Sequence, residues 1–423
     1  MKVTLINTSD AGGGAPAACM RLLKALAHNE VDVHLLAQNK YTTEARVEAV
    51  ADDALGELKA KADFYYERLP FILLHEKDAT VRFAFSAANA GTNISGNHLI
   101  EDADLLHLHW TNSGYLSIKN IKQLLALNKP VIWTLHDMWA FTGGCHYAGD
   151  CDHFLKECGN CPILKDASPN DISRTGWLRK NDLYLNAGNL VFVTCSNWLA
   201  GVARTSSLLK RFRIEAIPNP IDTNFYTPQN KAKARAKFGI AADAKVILFG
   251  AANIMHTRKG IAYLVEALQL LKSNYPENRN VEVVIFGKNK GFDIGQLPFN
   301  VQQLGIISNE QKLTEIYSLA DVFVLPSLED NLPNMVMEAL SCGTPVVAFN
   351  TGGLPDLVDH LQNGYLAEYR SAEDLAKGID FVLSSTEANK LSSAARNKVV
   401  SNFSNEIVAA KYKALYQSLL PSS

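Results

Sequence analysis

Short, continuous apolar segments alternate with helix-forming segments along most of this chain. Runs such as residues 105–109 and 131–135 are typical of strands that a parallel sheet buries on both faces. The regular alternation of strand and helix predicts an α/β protein whose parallel sheets are covered by helices. The predicted strands are residues 3–7, 31–37, 105–109, 131–135, 191–195, 246–250, 281–287, 322–326 and 345–349.

Two of these strands lead through a glycine-containing loop into a helix, and they divide the chain into halves. The predicted helices cover residues 17–27 and 261–272. Two prolines in residues 217–222 stop regular structure between the halves. We therefore predict an N-terminal domain over residues 1–215, a C-terminal domain over residues 216–405, and a C-terminal helical segment over residues 406–423.

Composition and charge exclude several classes of protein. With 423 residues, 47% of them hydrophobic, the chain can bury more than one core. A formal net charge of −2 provides no general attraction to nucleic acid, so no nucleic-acid partner is expected. Residues 1–7 form a predicted strand rather than a signal peptide, and no apolar run approaches the roughly 18–20 residues that span a bilayer. These features favour a cytoplasmic protein.

Residues 325–350 combine a predicted helix start with two acidic side chains. Pro333 suits the first turn of a helix over residues 335–340, and Gly343 ends that helix. Backbone amides at such a helix start form an anion site. Asp330 precedes the amides and Glu338 lies within the helix, where carboxylates can accept hydrogen bonds from sugar hydroxyls. A phosphate site beside two carboxylates suits a nucleotide sugar.

This segment resembles the acidic signature of retaining, family-four-like glycosyltransferases (glycosyl transferases group 1), in which seven residues separate two glutamates. Glu338 occupies the second place, and Asp330 occupies the first unless the register shifts to Glu329. The resemblance implies two Rossmann-like domains facing across a cleft, the GT-B architecture, with the C-terminal helix packing back across them. It also implies roles for Asp330 and Glu338 in catalysis and places donor-binding residues at Asn331, Leu332, Asn334 and Glu338.

Two histidines follow predicted strands at the edge where open α/β sheets bind their ligands. His136 stands at the Thr-x-His position of the same family, whose imidazole meets the transferred sugar, so we assign it a catalytic role. His109 is a second candidate at the end of the neighbouring strand. Either histidine would otherwise be a structural residue satisfied within the fold.

Arg258 and Lys259 precede the helix predicted over residues 261–272. A cation pair there would neutralise a nucleotide diphosphate as it gains charge. The family carries an arginine six residues before this lysine, where the chain has Asn253, so Arg258 takes a larger share of the task. A solvated basic helix start is the alternative, and Lys288 is a weaker candidate at the end of the next strand.

The glycine loop after the first strand contains two further candidate ligand-binding residues, Gly13 and Gly14. Glycine lets a backbone approach a phosphate or sugar closely, although a purely structural turn has the same pattern. A nicotinamide cofactor would require an acidic residue after the second strand, and residues 35–39 contain none.

In the second half, Asp356 resembles the family's glutamate after a Gly-Gly turn, and we expect it to cap the next helix.

Four of the seven cysteines fall between residues 145 and 161, namely Cys145, Cys151, Cys158 and Cys161. The Cys-x-x-Cys pair lets two thiolates bind one metal, and the other two complete a tetrahedral zinc set, with His146 and His153 in reserve. Disulfides and free thiols remain alternatives. A closed site of this kind would brace the loop rather than perform chemistry, and no cofactor is expected for catalysis.

The sequence therefore predicts retaining transfer of a sugar from a nucleotide-diphosphate sugar to a carbohydrate or lipid-linked glycan in surface polysaccharide assembly. A nucleotide-sugar epimerase of the same fold and a non-catalytic nucleotide-sugar sensor are the alternatives. Residues 64–74 mix aromatic and aliphatic side chains near several basic residues. They fit an ordinary core helix, which is the simpler interpretation, or a peripheral contact with an anionic membrane.

Overall fold

The computed structural model describes residues 1–275 and 280–420. The chain divides into two compact units. The first comprises Met1–Pro220 together with the chain from Val408 onward, and the second is Ile221–Ile407. In the described part of the chain, no helix combines the length and apolar character that a membrane crossing requires.

The first unit is built on a seven-stranded sheet in which all paired neighbours run parallel. The strand order is β3-β2-β1-β4-β5-β6-β7. The central strands are buried because nearly every side chain along them is apolar, as the sequence pattern predicts. The strands are β1 (Lys2–Ser9), β2 (Asp32–Asn39), β3 (Val47–Ala49), β4 (Leu105–Leu108), β5 (Val131–Leu135), β6 (Leu190–Thr194) and β7 (Ile214–Ala216).

Six helices join these strands, and polar side chains set several of their starts. Ser117 and Asn120 form a reciprocal capping box at the start of α4. Asp171 and Ser196 accept hydrogen bonds from free backbone amides at the starts of α5 and α6. The helices are α1 (Gly14–His28), α2 (Ala54–Pro70), α3 (His98–Glu101), α4 (Ile118–Leu125), α5 (Ile172–Tyr184) and α6 (Asn197–Thr205).

The second unit has a six-stranded parallel sheet in the order β10-β9-β8-β11-β12-β13. Its strands are β8 (Lys245–Asn253), β9 (Val281–Lys288), β10 (Asn300–Gly305), β11 (Val322–Leu325), β12 (Val346–Phe349) and β13 (Gly364–Ala367). The helices within this unit are α7 (Lys231–Phe238), α8 (Ile261–Asn274), α9 (Glu310–Leu319), α10 (Asn334–Ser341), α11 (Leu354–Leu357), α12 (Ala372–Leu383) and α13 (Ala388–Phe403). These elements confirm the predicted α/β fold class with parallel sheets.

The last helix, α14 (Asn405–Leu419), corresponds to the C-terminal helical segment that begins at residue 406 in our prediction. From Val408 onward it belongs to the first unit, where Tyr412 and Tyr416 are almost completely buried. Their rings pack in one apolar cluster with side chains of α1 and of the first sheet. The helix periodicity therefore predicted the element, and burial of its apolar face fixes where it lies.

The segment that we interpreted as an ordinary core helix is not one. Residues 54–70 form α2 and Phe71–His75 continue as a turn of π-helix, but Phe71 alone among the large apolar side chains of this stretch is buried. Eight large apolar side chains in this region are exposed: Leu55, Leu58, Tyr65, Tyr66, Leu69, Leu73, Leu74 and Phe83. The prediction of a buried helix, which was based on apolar content alone, was therefore wrong.

A close backbone contact in the first unit provides a test of this packing. A Cβ added at Gly176 of α5 would lie 1.9 Å from the carbonyl oxygen of Gly143, and backbone cannot move aside cheaply. We expect Gly176→Ala to destabilise the unit by about 1–3 kcal/mol. Gly201→Ala in α6 is the matched control, because no atom lies within 4 Å of its added Cβ.

Differential scanning calorimetry of both variants measures the two effects. The control should raise the thermal midpoint slightly, because alanine restricts the unfolded chain more than glycine does. Equal midpoints for the two variants would show that the Gly143 and Gly176 backbones are not in contact.

Candidate functional site

In the first unit, two histidines meet at the carboxyl edge of the sheet. β4 ends at Leu108 and β5 at Leu135, and the residues that follow are His109 and His136. The two strands are adjacent, so these side chains emerge together. Nδ1 of His109 lies 3.0 Å from Nε2 of His136, and the rings stack with centroids 5.3 Å apart. The structure thus brings both predicted histidines into one pair.

A third histidine, His107, supports this pair from inside β4. Its Nδ1 lies 2.8 Å from the Tyr416 hydroxyl and its Nε2 lies 2.7 Å from Oγ1 of Thr134. Oγ1 of Thr134 lies in turn 3.0 Å from the hydroxyl of Tyr412. The His107 ring packs 4.3 Å from the His109 ring. Side chains of α14 therefore hold His107, which packs on the histidine pair.

All three imidazoles are kept neutral by burial. Burial lowers the pKa of His136 to about 4 and that of His107 to about 3, and it holds the pKa of His109 well below its ordinary value. The neighbouring histidines lower the pKa values of His107 and His109 further, because two imidazolium ions would repel each other. Neutral imidazoles provide one N–H donor and one acceptor each, without charge.

Asp137 carries the negative charge next to His136. Its Oδ2 lies 2.7 Å from Nδ1 of His146 and accepts from Nε1 of Trp110 at 3.1 Å. Its Oδ1 accepts from the backbone N–H of Trp139 at 2.8 Å. Burial alone would raise the pKa of Asp137, but attraction to His146 and these hydrogen bonds hold it below its ordinary value. The carboxylate therefore stays ionised.

Sequence reasoning did not identify the role of Asp137, and it placed His146 among the reserve metal ligands. In the structure, His146 instead contacts Asp137 and, through Nε2, the hydroxyl of Ser86 at 3.0 Å. One signal was present in the sequence, since Asp137 directly follows His136 at a strand end. Nothing in the sequence indicated that His146, in the cysteine-rich loop, would contact Asp137.

The glycine loop before α1 leaves open space around its backbone. Gly12 has a left-handed φ of 88°, and no atom lies within 4 Å of a Cβ added at Gly12 or at Gly14. At Gly13 the nearest atom would be Cδ of Pro16 at 3.6 Å. α1 begins at Gly14, and its N-cap residue, Gly13, provides no side-chain cap. Both predicted glycines therefore lie where a ligand can approach the backbone.

In the second unit, Arg258 and Lys259 lie in a single helical turn directly before α8. Gly260 follows with a φ of 66°, and a Cβ there would lie 1.9 Å from the carbonyl oxygen of Pro326. Only glycine allows this approach, which brings the turn onto the loop after β11. The backbone N–H of Leu328 donates to the carbonyl oxygen of Arg258 at 2.8 Å. The basic turn and the acidic loop are therefore in direct contact.

Lys259 and Asp330 form an ion pair at this contact. Nζ of Lys259 lies 2.6 Å from Oδ2 of Asp330, and Nη1 of Arg258 donates to the carbonyl oxygen of Glu329 at 3.0 Å. Burial would raise the pKa of Asp330, but the nearby Lys259 and Arg258 hold it below its ordinary value. Sequence reasoning named both partners of this pair without predicting that they meet.

Glu338 lies in α10 and is buried. Its Oε2 accepts a hydrogen bond from the hydroxyl of Tyr317, a residue of α9, at 2.7 Å. Burial and the adjacent carboxylate raise the pKa of Tyr317 well above its ordinary value, so the phenol remains a donor. Asn331 and Leu332 are buried in the loop before the helix, and Asn334 is its first residue.

Two details of this region correct the sequence predictions. Pro333 is the N-cap residue of α10 rather than part of its first turn, because the helix starts at Asn334. Asp356 does not cap the next helix, since it lies inside α11 and Gly353 is the N-cap residue. The backbone N–H of Gly353 donates instead to the carbonyl oxygen of Asp330 at 3.0 Å, which fixes the acidic loop.

The four cysteines between residues 145 and 161 are unpaired thiols that line one small cavity. Burial raises the pKa values of Cys145, Cys158 and Cys161 to about 12, so these groups are protonated thiols. Lys180 is completely buried nearby, and burial lowers its pKa to about 7. In the described ranges 1–275 and 280–420, no group of three or more His, Cys, Asp or Glu side chains is already arranged to hold a metal ion.

Two family models match the chain, one on each side of residues 226–229. The model described as Glycosyltransferase Family 4 matches residues 12–225, and the model described as Glycosyl transferases group 1 matches residues 230–398. Among curated relatives, WcaC of Escherichia coli (strain K12), assigned to colanic acid biosynthesis as a glycosyl transferase, is 27% identical over 260 residues. This alignment covers 58% of the chain and 59% of WcaC. The chain covers less than two thirds of the first curated relatives that it matches.

Solved structures resemble the whole chain in fold. Sucrose-phosphate synthase from Thermosynechococcus elongatus has a TM-score of 0.68 and 20% identity, covering 99% of this chain and 98% of its own. HepE of Anabaena, solved in complex with UDP-glucose, has a TM-score of 0.63 and 18% identity, covering 99% and 100%. These similarities confirm the predicted two-domain GT-B fold.

The neutral histidines make the stability of the first unit depend on pH. In the unfolded chain a histidine binds its proton near pH 6.5, whereas folded His136 does so only at about pH 4. The unfolded state therefore binds more protons between these values. Stability is fully present above about pH 6.5 and is lost as the pH falls towards about 4.

We expect the thermal midpoint to fall between about pH 6.5 and 4.5, and His109→Gln to make this fall shallower by removing one of the titrating groups. His98→Gln is the control, because the His98 side chain is 64% exposed. Scanning calorimetry over this range measures the slope for each protein. Identical slopes for His109→Gln and the wild-type protein would contradict the neutral-histidine assignment.

Proposed function

We propose that this chain, which belongs to Glycosyltransferase Family 4, transfers a sugar from a nucleotide-diphosphate sugar to a carbohydrate or lipid-linked glycan acceptor. The reaction retains the configuration at the transferred carbon and serves surface polysaccharide assembly. The contact between the Arg258–Lys259 turn and the Asp330 loop carries this proposal. The family membership and the fold support it.

The basic turn is suited to a diphosphate. An ammonium group has three N–H donors, and Asp330 accepts from only one side of Lys259. The ion pair thus holds Nζ in a fixed place while the other donors remain for phosphate oxygens. Charge-assisted hydrogen bonds of this kind strengthen as the leaving diphosphate gains charge. Lys259 and Arg258 supply this positive charge, so the proposal requires no catalytic metal.

Glu338 is suited to hold hydroxyl groups of the donor. A carboxylate accepts hydrogen bonds from hydroxyl groups, as Oε2 of Glu338 does from the Tyr317 hydroxyl. Because both side chains are buried, this bond fixes the orientation of Glu338. We assign Glu338 to the donor ribose, and the backbone around Asn331, Leu332 and Asn334 to the start of the donor site.

In the first unit we assign His136 to the transferred sugar. Its neutral ring brings no positive charge to a carbon that itself becomes positive. Nδ1 lies 3.6 Å from Sγ of Cys195, and a sugar hydroxyl would replace this long contact. His109 fixes the ring through the 3.0 Å contact. No enzymic nucleophile is part of this proposal. An oxygen of the donor phosphate instead accepts the acceptor's proton on the face from which the diphosphate leaves.

The donor assignment predicts the effect of two substitutions. Lys259→Ala should weaken binding of a nucleoside diphosphate by about 1.5–3 kcal/mol, roughly 10- to 150-fold, because a charge-assisted contact is lost. Glu338→Ala should instead reduce discrimination between ribose and deoxyribose nucleotides. Lys237→Ala is the matched control, since Lys237 forms a similar ion pair with Glu315 at 2.6 Å in the same unit. Titration calorimetry measures the affinities, and unchanged binding in both variants would refute this placement.

Turnover separates the proposed transferase from its alternatives. A thermal-shift panel of nucleotide sugars identifies the donor, and mass spectrometry then follows its conversion with glycan acceptors. A transferase produces a larger glycan, and nuclear magnetic resonance of that product shows whether the anomeric configuration is retained. An epimerase would yield an altered sugar without an acceptor, and a sensor would bind a nucleotide sugar without turnover.

We further propose that the exposed apolar side chains of residues 54–83 contact an anionic membrane that carries a lipid-linked acceptor, at its inner face. Leu73 and Leu74 are 69% and 59% exposed in the π-helical turn. Lys77 follows them in the chain and offers positive charge to acidic headgroups, whereas Arg82 forms an ion pair with Glu76 at 2.9 Å. Exposed apolar groups beside basic residues are typical of interfacial contacts.

Vesicle flotation tests this contact. The wild-type protein should float with anionic vesicles at low salt, and the double substitution Leu73→Ser with Leu74→Ser should reduce the floating fraction several-fold, because two apolar groups no longer enter the interface. Ile306→Ser with Ile294→Ser is the control, since these side chains are exposed in the second unit. Absence of wild-type flotation would end the membrane proposal and leave the transferase proposal unchanged.

A further inference from the structure

The loop that follows β5 gathers four cysteines that are up to sixteen positions apart in the chain. Residues that line a single cavity include all four cysteines together with Phe154 and Gly143. Polar groups contribute almost nothing else to this lining apart from Thr142, His153 and Ser173. The four cysteines that line this cavity are Cys145, Cys151, Cys158 and Cys161.

The four thiols are near neighbours in space as well as in the lining. Cys145 interacts electrostatically with Cys151 and Cys161, and Cys158 interacts with Cys145 and Cys151. Cys161 interacts with Cys151 and Cys158. Each sulfur therefore lies within electrostatic reach of at least two others, and all four thiols line the same cavity.

The surroundings are suited to negatively charged sulfur. The backbone N–H of Gly143 donates to Sγ of Cys158 at 3.1 Å, and such bonds support metal thiolates. Nζ of the buried Lys180 lies 3.7 Å from the centre of the Trp139 ring and donates to the carbonyl oxygens of Trp139 and Thr142. The same lysine interacts with Cys145 and Cys158. A buried cation beside four thiols offsets part of the charge that four thiolates would bring.

We propose that Cys145, Cys151, Cys158 and Cys161 bind one zinc ion as a closed tetrathiolate site. Four thiols release four protons to solvent as four Zn–S bonds form, which leaves a site of net charge −2 next to Lys180. The sulfurs are not yet at ligand positions among the described residues, so the loop closes inward around the ion. The site is structural, since four protein ligands leave no position for a substrate.

The proposed zinc site is linked to the histidine pair through His146 and Asp137. Cys145 is followed directly by His146, whose Nδ1 lies 2.7 Å from Asp137, the residue after His136. At the other end of the loop, the backbone N–H of Cys161 donates to Oδ2 of Asp171, the N-cap residue of α5, at 2.8 Å. Zinc therefore braces a segment that is attached at both ends to the first unit.

Metal analysis of protein purified without chelator provides the first test. We expect about one equivalent of zinc per chain, and a large loss of zinc in the double substitution Cys151→Ser with Cys161→Ser. Cys19→Ala is the matched control, because Cys19 is a buried thiol of α1 that packs in the apolar cluster with α14. Chelation should lower the thermal midpoint of the wild-type protein and leave that of the double variant unchanged.

Two further measurements work on the wild-type chain and do not depend on folding of a variant. Cobalt should replace zinc and give the intense thiolate-to-metal absorption of a tetrahedral sulfur site. Thiol titration after denaturation with chelator should find all seven cysteines. Substantially less than half an equivalent of zinc overturns the proposal, whether the thiols are then all free or partly lost to disulfides. Zinc retained by the double variant overturns it as well.

Discussion

A polar side chain that is buried at the end of a parallel strand is costly unless it pairs within the protein, because burial removes its hydrogen bonds with water. This requirement organises both candidate sites. In the first unit it joins His109 to His136 and Asp137 to His146. In the second it joins Lys259 to Asp330 across 71 positions of sequence. Each functional group is thus oriented by a partner before any ligand arrives.

The partners come from remote parts of the chain, and α14 is the clearest case. Tyr412 lies 278 positions after Thr134, and Tyr416 lies 309 positions after His107, yet their hydroxyls complete the hydrogen bonding of both. A hydroxyl both donates and accepts, so it satisfies a neutral imidazole without fixing a charge. The terminal helix therefore has a chemical role in the first unit in addition to burying apolar surface.

The sequence was sufficient for elements whose physics is local. Continuous apolar runs predicted the central strands of both sheets, because burial on both faces demands such runs. The pattern missed β3, β7, β10 and β13, which are short or lie at sheet edges where fewer apolar residues are needed. It also placed α2 in the core, because composition cannot say whether an apolar face has a neighbour. Strand and helix types were therefore more predictable than environments.

The site residues divide in the same way. His136, Lys259 and Glu338 could be named from strand ends, helix starts and family resemblance. The ion pair of Lys259 with Asp330 could not, because it depends on Gly260 letting the backbone come within contact of Pro326. Likewise, no spacing rule connects His146 to Asp137, since the loop between them follows no repeating geometry. Which side chains become partners depends on how the loops pack, and local sequence patterns do not specify that packing.

The two units differ in the kind of electrostatics that they bury, and this difference matches the proposed reaction. The first keeps three imidazoles uncharged, whereas the second keeps a lysine and an aspartate charged against each other. Glycosyl transfer from a nucleotide-diphosphate sugar creates positive character at the sugar carbon and negative charge on the diphosphate. Neutral hydrogen-bonding groups avoid repelling the former, and fixed cations stabilise the latter.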